Sequence, residues 1–169
     1  MDAEHAARCL AALASVAPAP LLERALRDEL ELLEQRVLAL LAVRHGAERI
    51  KLAALGLRSD AEGRRSLAIE MLDVTLGRAE AALALPVLRA DLPEPDRVRD
   101  LAFVLPSAAA GRAATFADII GDPERHWRSP WLQACAVYES TGVEGFPQGL
   151  PARDAGDPVL RETLAWAAR

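Results

Sequence analysis

The sequence predicts an all-α protein, a short α-solenoid of antiparallel helix pairs with about eight or nine helices. Three observations predict it. Apolar residues make up 51% of the chain but aromatics only 4%, so Ala and Leu supply the bulk. Both are among the best helix formers. A helix opening recurs: Ser59-Asp60-Ala61-Glu62 ahead of RRSLAIEML, Ser129-Pro130 ahead of WLQACAVY, and Asp157-Pro158 ahead of VLRETLAWA. Each offers an N-cap oxygen to orphan helix N–H groups, and two place Pro at the first helical position, where no donor is lost. Finally, no stretch alternates apolar and polar residues as a strand would. Repeated cap-and-helix units suit a helical-repeat array, which presents surface.

Taken in order, MDAEHAARCLAALASVAPAP has an apolar Leu10–Ala17 core behind Asp2 and Glu4. A signal peptide would carry positive charge there, so residues 1–19 read as an ordinary N-terminal capping helix. From Pro20 to Val43, Leu22, Leu26, Leu30, Leu33, Val37, Leu40 and Leu41 make one apolar stripe. Arg24, Asp28, Glu31 and Gln35 face the other way, and Glu23 stands four residues before Arg27, the favourable orientation for a pair. Gly46 marks a break. Ile50, Ala53, Ala54 and Leu57 form a shorter helix ending at Gly56–Ser59. Ser59 and Glu62 have capping-box spacing. The helix from about Asp60 to Leu76 should bury Leu67, Ala68, Met71, Leu72 and Leu76, with Gly77 as its stop. The next, about Arg78 to Ala90, contains Pro86, which removes one backbone bond and should kink it or end it near Leu85.

After the Pro93–Pro95 turn, Val98, Leu101, Ala102 and Leu105 form a short helix. Phe116, Ile119 and Ile120 form another before the Gly121-Asp122-Pro123 stop. Helices opening at Ser129 and Asp157 close the chain, and the Gly/Pro-rich stretch 142–158 between them reads as an exposed loop. Every aromatic lies at Phe103 or later, so the first part packs on aliphatic side chains and the second on larger ones. No linker-like stretch separates the two parts, and residues 1–169 read as one domain.

Net charge is −5, with 20 basic and 25 acidic residues interspersed. Phosphate binding needs a basic stripe, so nucleic acid is not expected as the main partner. No run of about 18 apolar residues lacks charge, so no segment is expected to insert in a membrane. Cys9 and Cys135 fall within helix patterns and fit reduced, buried thiols of a cytoplasmic protein.

The stretch ALRDELELLEQRVLALLAV, then IKLAALGLRSDAEGRRSLAIEMLDVTL, resembles the HEAT-like repeat region of bacterial carrier-like proteins related to ATP/ADP translocases. GDPERHWRSPWLQACAVY looks like a further repeat of that region, and GDPVLRETLAWAAR like a generic HEAT helix. The AIEMLDVTL and WLQACAVY elements carry most of the likeness. In that family the region follows a membrane carrier domain, which this sequence lacks, so no transport residue carries over. The resemblance implies an α-solenoid, a role in intermolecular contact, and association with a membrane carrier.

His5 and Cys9 share a helix face at i, i+4, but no carboxylate or cysteine nearby in sequence completes a tetrahedral metal set. Asp118, Asp122 and His126 recur every four residues, yet Gly121 and Pro123 interrupt any helix aligning them. Cys135, between two alanines in a helix interior, reads as an inert small hydrophobe. No nucleophile elbow, Walker loop or dinucleotide fingerprint occurs. The sequence therefore predicts no catalytic residues, cofactor or metal, and a non-catalytic interaction or scaffold module that binds a protein partner or a second copy of itself. Its expected surface is His126, Trp127 and Arg128 at a helix start, with Trp131 and Trp166, since Trp and Arg dominate interface energetics. Between the first two tryptophans, Trp131 is expected to pack into the core, while Trp127 is evenly balanced between core and surface. The alternatives are a regulatory accessory of a nucleotide carrier or second-messenger system, and an AlkD-like HEAT enzyme acting on DNA, which the acidic balance disfavours.

Overall fold

Two of the three helix openings are capped as the sequence predicts. Ser129 Oγ accepts from Leu132 N at 3.3 Å, and Asp157 Oδ1 accepts from Val159 N and Leu160 N at 2.9 and 3.2 Å. The third is not. Ser59 Oγ accepts from Ala61 N at 3.3 Å, closing a turn ahead of the helix, and Ala61 holds the N-cap position with no side-chain cap bond. The Ser59 carbonyl is taken by the Arg65 guanidinium at 2.7 Å.

The computed structural model describes residues 2–103, 111–122, 125–127, 129–143 and 156–168. Among them lie nine helices and no strand, so the chain is all-α: α1 (Asp2–Val16), α2 (Pro20–His45), α3 (Ala47–Leu57), α4 (Glu62–Thr75), α5 (Arg78–Leu88), α6 (Glu94–Asp100), α7 (Arg112–Gly121), α8 (Pro130–Ser140) and α9 (Pro158–Ala167). Most of the expected exposed loop 142–158, together with Leu105, lies outside the described residues.

The chain divides into two compact units. The first comprises residues 1–10 and 29–106. Its core joins Leu41 of α2, Ile50 and Ala53 of α3, Leu72 of α4, Leu76 just after it, and Ala81, Ala84 and Leu88 of α5. Consecutive helices pack on one another from α3 to α6. The α2–α3 break sits at Gly46, whose φ of 97° is open to glycine and strained for other residues. α3 and α4 approach closely at Gly56, where a Cβ would come within 2.7 Å of Ala68 Cβ. The buried side of α4 runs through Ala68, Leu72 and Leu76. Leu67, expected in this core, is exposed because it sits about 100° around the helix from Ala68. Leu40 is likewise exposed beside buried Leu41.

Pro86 does not end α5, which runs two residues further to Leu88. The last carbonyls of any helix lack intrahelical donors, and here Arg97 of α6 supplies them. Its Nε donates to Pro86 O at 2.8 Å and its Nη2 to Val87 O at 2.5 Å. The guanidinium is buried and also meets Glu34 of α2 at 3.2 Å. Burial raises the Glu34 carboxyl above its ordinary range even though Arg97 pulls it down, so desolvation outweighs the ion pair.

The second unit comprises residues 11–28 and 107–169. α7 packs on α8 and α8 on α9. Phe116, Ile119 and Ile120 of α7 are buried, as are Leu132 of α8 and Leu160 of α9. Within this unit Glu139 Oε1 accepts from Leu21 N at 2.9 Å, satisfying a first-turn donor of α2. Glu23 Oε1 accepts from Ala19 N at 3.0 Å, and Glu23 also pairs with Arg27 at 3.5 Å as its spacing predicts.

Candidate interaction surface

α7 ends in a left-handed residue, Asp122, with φ 33°. Asx residues tolerate this conformation better than most, and the bend aims the carboxylate at the following backbone. Asp122 Oδ1 accepts from His126 N at 2.6 Å and Trp127 N at 3.2 Å. The Trp127 indole Nε1 donates to Asp118 Oδ2 at 2.9 Å. Trp127 is 4% exposed. The His126–Trp127 corner is thus a structural joint between α7 and α8, not an exposed aromatic corner. His126 is half-buried beside it, and Arg128 lies outside the described residues. Asp118 and Asp122, which recur with His126 at four-residue intervals, spend carboxylate oxygens on this joint.

Trp131 takes the opposite place from the one expected. It is 56% exposed. From Leu132 to Val137 six consecutive residues of α8 are buried, so the helix is enclosed nearly all round. The remaining stripe carries Trp131 and, seven residues on, Tyr138, which is 47% exposed. Two helical turns separate them, about 10 Å along the axis. α9, oriented by its Asp157 cap, brings Trp166 onto Tyr138 with ring centroids 5.0 Å apart and planes 20° from parallel. Trp166 remains 48% exposed, so one ring face meets Tyr138 and the rest meets solvent. The structure therefore unites Tyr138 and Trp166 and puts Trp131 on the same side of α8. Tyr138 was not singled out in the sequence, although its i, i+7 relation to Trp131 was the available signal.

The thiols are poorly placed for chemistry. Cys9 is fully buried, and burial together with the nearby Glu29 carboxylate raises its pKa far above the ordinary value. His5 is part-buried, with its Nε2 3.2 Å from Glu29 Oε1. Burial pushes the Cys135 thiol up to about 11. Neither supplies a thiolate near neutral pH. No group of three His, Cys, Asp or Glu side chains is placed to hold a metal ion among the described residues. In the first unit, an open groove of about 620 Å³ lies along α4 and α5, with Arg78 and Arg89 set against Asp73 and Asp100. Its charges balance, and Arg89 is already bonded to Asp91 at 2.9 Å.

No family model, curated protein or solved structure matches this chain. No described helix is long and apolar enough to cross a membrane.

Proposed function

We propose that this protein is a non-catalytic interaction module of the cytoplasm, a HEAT-like stack of helix pairs that docks a protein partner through the Trp131–Tyr138–Trp166 ledge. The observation that carries the reading is the half-exposed Tyr138–Trp166 stack, with Trp131 two turns away on the same helix. Large aromatic surface left in water is costly, and at interfaces it supplies most of the binding energy. A stacked pair loses little side-chain entropy when a partner covers it, because each ring already holds the other. The buried, protonated thiols and the engaged carboxylates of Asp118 and Asp122 support a role without catalysis. A regulatory accessory of a nucleotide carrier, the alternative implied by the sequence likeness, has no dedicated anion site among the described residues in its favour.

The test is capture from an extract of the source cells by tagged protein, alongside the Trp131→Ala/Tyr138→Ala/Trp166→Ala variant. The expected outcome is a partner retained by the native protein and lost by the variant, with equal helicity of the two by circular dichroism. A folded variant that keeps every captured protein refutes the ledge as the docking surface.

A further inference from the structure

We propose that the Trp131–Tyr138–Trp166 ledge takes a proline-rich segment of a partner protein, held in the polyproline II conformation with a Lys or Arg beside it. This deepens the interaction-module reading and rests on it.

The aromatic spacing fits such a segment. Trp131 and Tyr138 stand about 20° apart around α8 and about 10 Å apart along it. At the turn between them Ala134 and Cys135 are small and buried, so nothing large lies between the two exposed ridges. A polyproline II helix rises about 3.1 Å per residue with three residues per turn, so prolines at i and i+3 recur on one side every 9 Å or so. One such proline therefore reaches Trp131 while the next reaches the Tyr138–Trp166 pair.

The polar atoms match it as well. The polyproline II backbone makes no internal hydrogen bonds, and its carbonyls need donors. Buried Trp127 spends its indole N–H on Asp118. By contrast, Trp131 Nε1, Tyr138 Oη and Trp166 Nε1 donate to no group among the described residues. Glu162 lies one turn before Trp166 and about 40° around α9 from it. It is exposed and forms no ion pair among the described residues. Arg161 lies about 140° around the helix from Trp166, on the far side. The charge at the ledge is therefore a carboxylate, which selects a basic neighbour in the occupant.

The other recurring peptide modes fit less well. Strand addition needs a sheet edge, and no strand lies among the described residues. An amphipathic helix brings an anchor every turn, about 5–6 Å, and its middle anchor would meet no exposed side chain here. A phosphorylated segment needs an arginine cluster where Glu162 stands. Three half-exposed aromatics offer about 300 Å², which suits a reversible contact with a dissociation constant on the order of micromolar to millimolar.

Calorimetric titration of the full chain with a probe of about ten prolines flanked by Arg at both ends tests this. Saturable binding is expected. Trp131→Ala should weaken it about tenfold or more. Trp131→Phe keeps a ring and loses the donor, and should weaken it about fivefold. Glu162→Lys should weaken it by a similar factor through like-charge repulsion. All are surface changes, and circular dichroism checks that each variant is folded. A Gly/Ser peptide with the same arginines and an amphipathic Leu/Lys helix peptide are the controls. Equal binding of either control, a native protein indifferent to the probe at about 1 mM, or a folded Trp131→Ala variant that binds as well as the native chain overturns the proposal. If the probe fails but a captured partner is still lost when the ledge aromatics are removed, the proline-rich occupant has failed and the interaction-module reading has survived.

Discussion

Trp127 and Trp131 lie four residues apart, yet one is core and the other surface. The sequence placed both at a helix start and favoured Trp131 for the core, the reverse of what the structure shows. That choice depends on Asp122, whose left-handed backbone points its carboxylate at the Trp127 amide, and on Asp118, which accepts the indole N–H. Neither partner is visible in a periodicity argument, because both bonds cross a helix end. Replacing Trp127 with Phe should cost about 1 kcal/mol through the orphaned Asp118 contact, and replacing it with Ala about 3–5 kcal/mol through the cavity. Trp131→Ala should stay within about 0.5 kcal/mol. Urea unfolding measures all three. A Trp131→Ala loss as large as that of Trp127→Ala would contradict the assignment of core and surface.

Helix existence was legible because it needs only composition, spacing and caps. Element ends were less so. Ser129 and Asp157 act as caps where Pro follows at once, fixing the first helical φ. Ser59 has no such Pro, and its chain makes one more turn before Glu62. Ser129→Ala and Asp157→Ala should therefore each destabilise by about 1 kcal/mol, while Ser59→Ala should lie within a few tenths. Comparison of urea midpoints, with slopes checked for constancy, decides this. Equal losses at all three sites would mean that the Ser59 turn is worth as much as a true cap. The groups holding the end of α5 were illegible for another reason: Arg97 reaches it from the next helix, and no local rule links position 97 to the carbonyls of 86 and 87.

At the scale of the whole molecule, the buried thiols predict a one-sided pH dependence. Both native thiols titrate above an unfolded thiol, whose pKa is about 8.5. Below that pH both states hold the proton and stability is intact. Above it the unfolded chain releases protons that the native chain keeps, so unfolding becomes easier by up to about 1.4 kcal/mol per pH unit for each thiol. Urea unfolding under reducing conditions at pH 7.5 and 9.5 should show the loss, and Cys9→Ala/Cys135→Ala should flatten it. Few other side chains titrate in this window, since the chain has one Tyr and one Lys beside its Arg residues. An unchanged slope in the double variant would assign the loss to other groups.

The all-α class was readable from Ala and Leu content alone, whereas the exposed ledge was not, since it emerges only when α9 lays Trp166 on Tyr138. The Arg97 clasp has a dynamic consequence of the same non-local kind. With the last carbonyls of α5 held by a side chain of α6, fraying of α6 strips the α5 terminus of its donors, and α5 cannot loosen there without leaving a buried guanidinium facing only Glu34. Local opening in this part of the chain is therefore shared between neighbouring helices, and their slowly exchanging amides should protect and release together as one cooperative block.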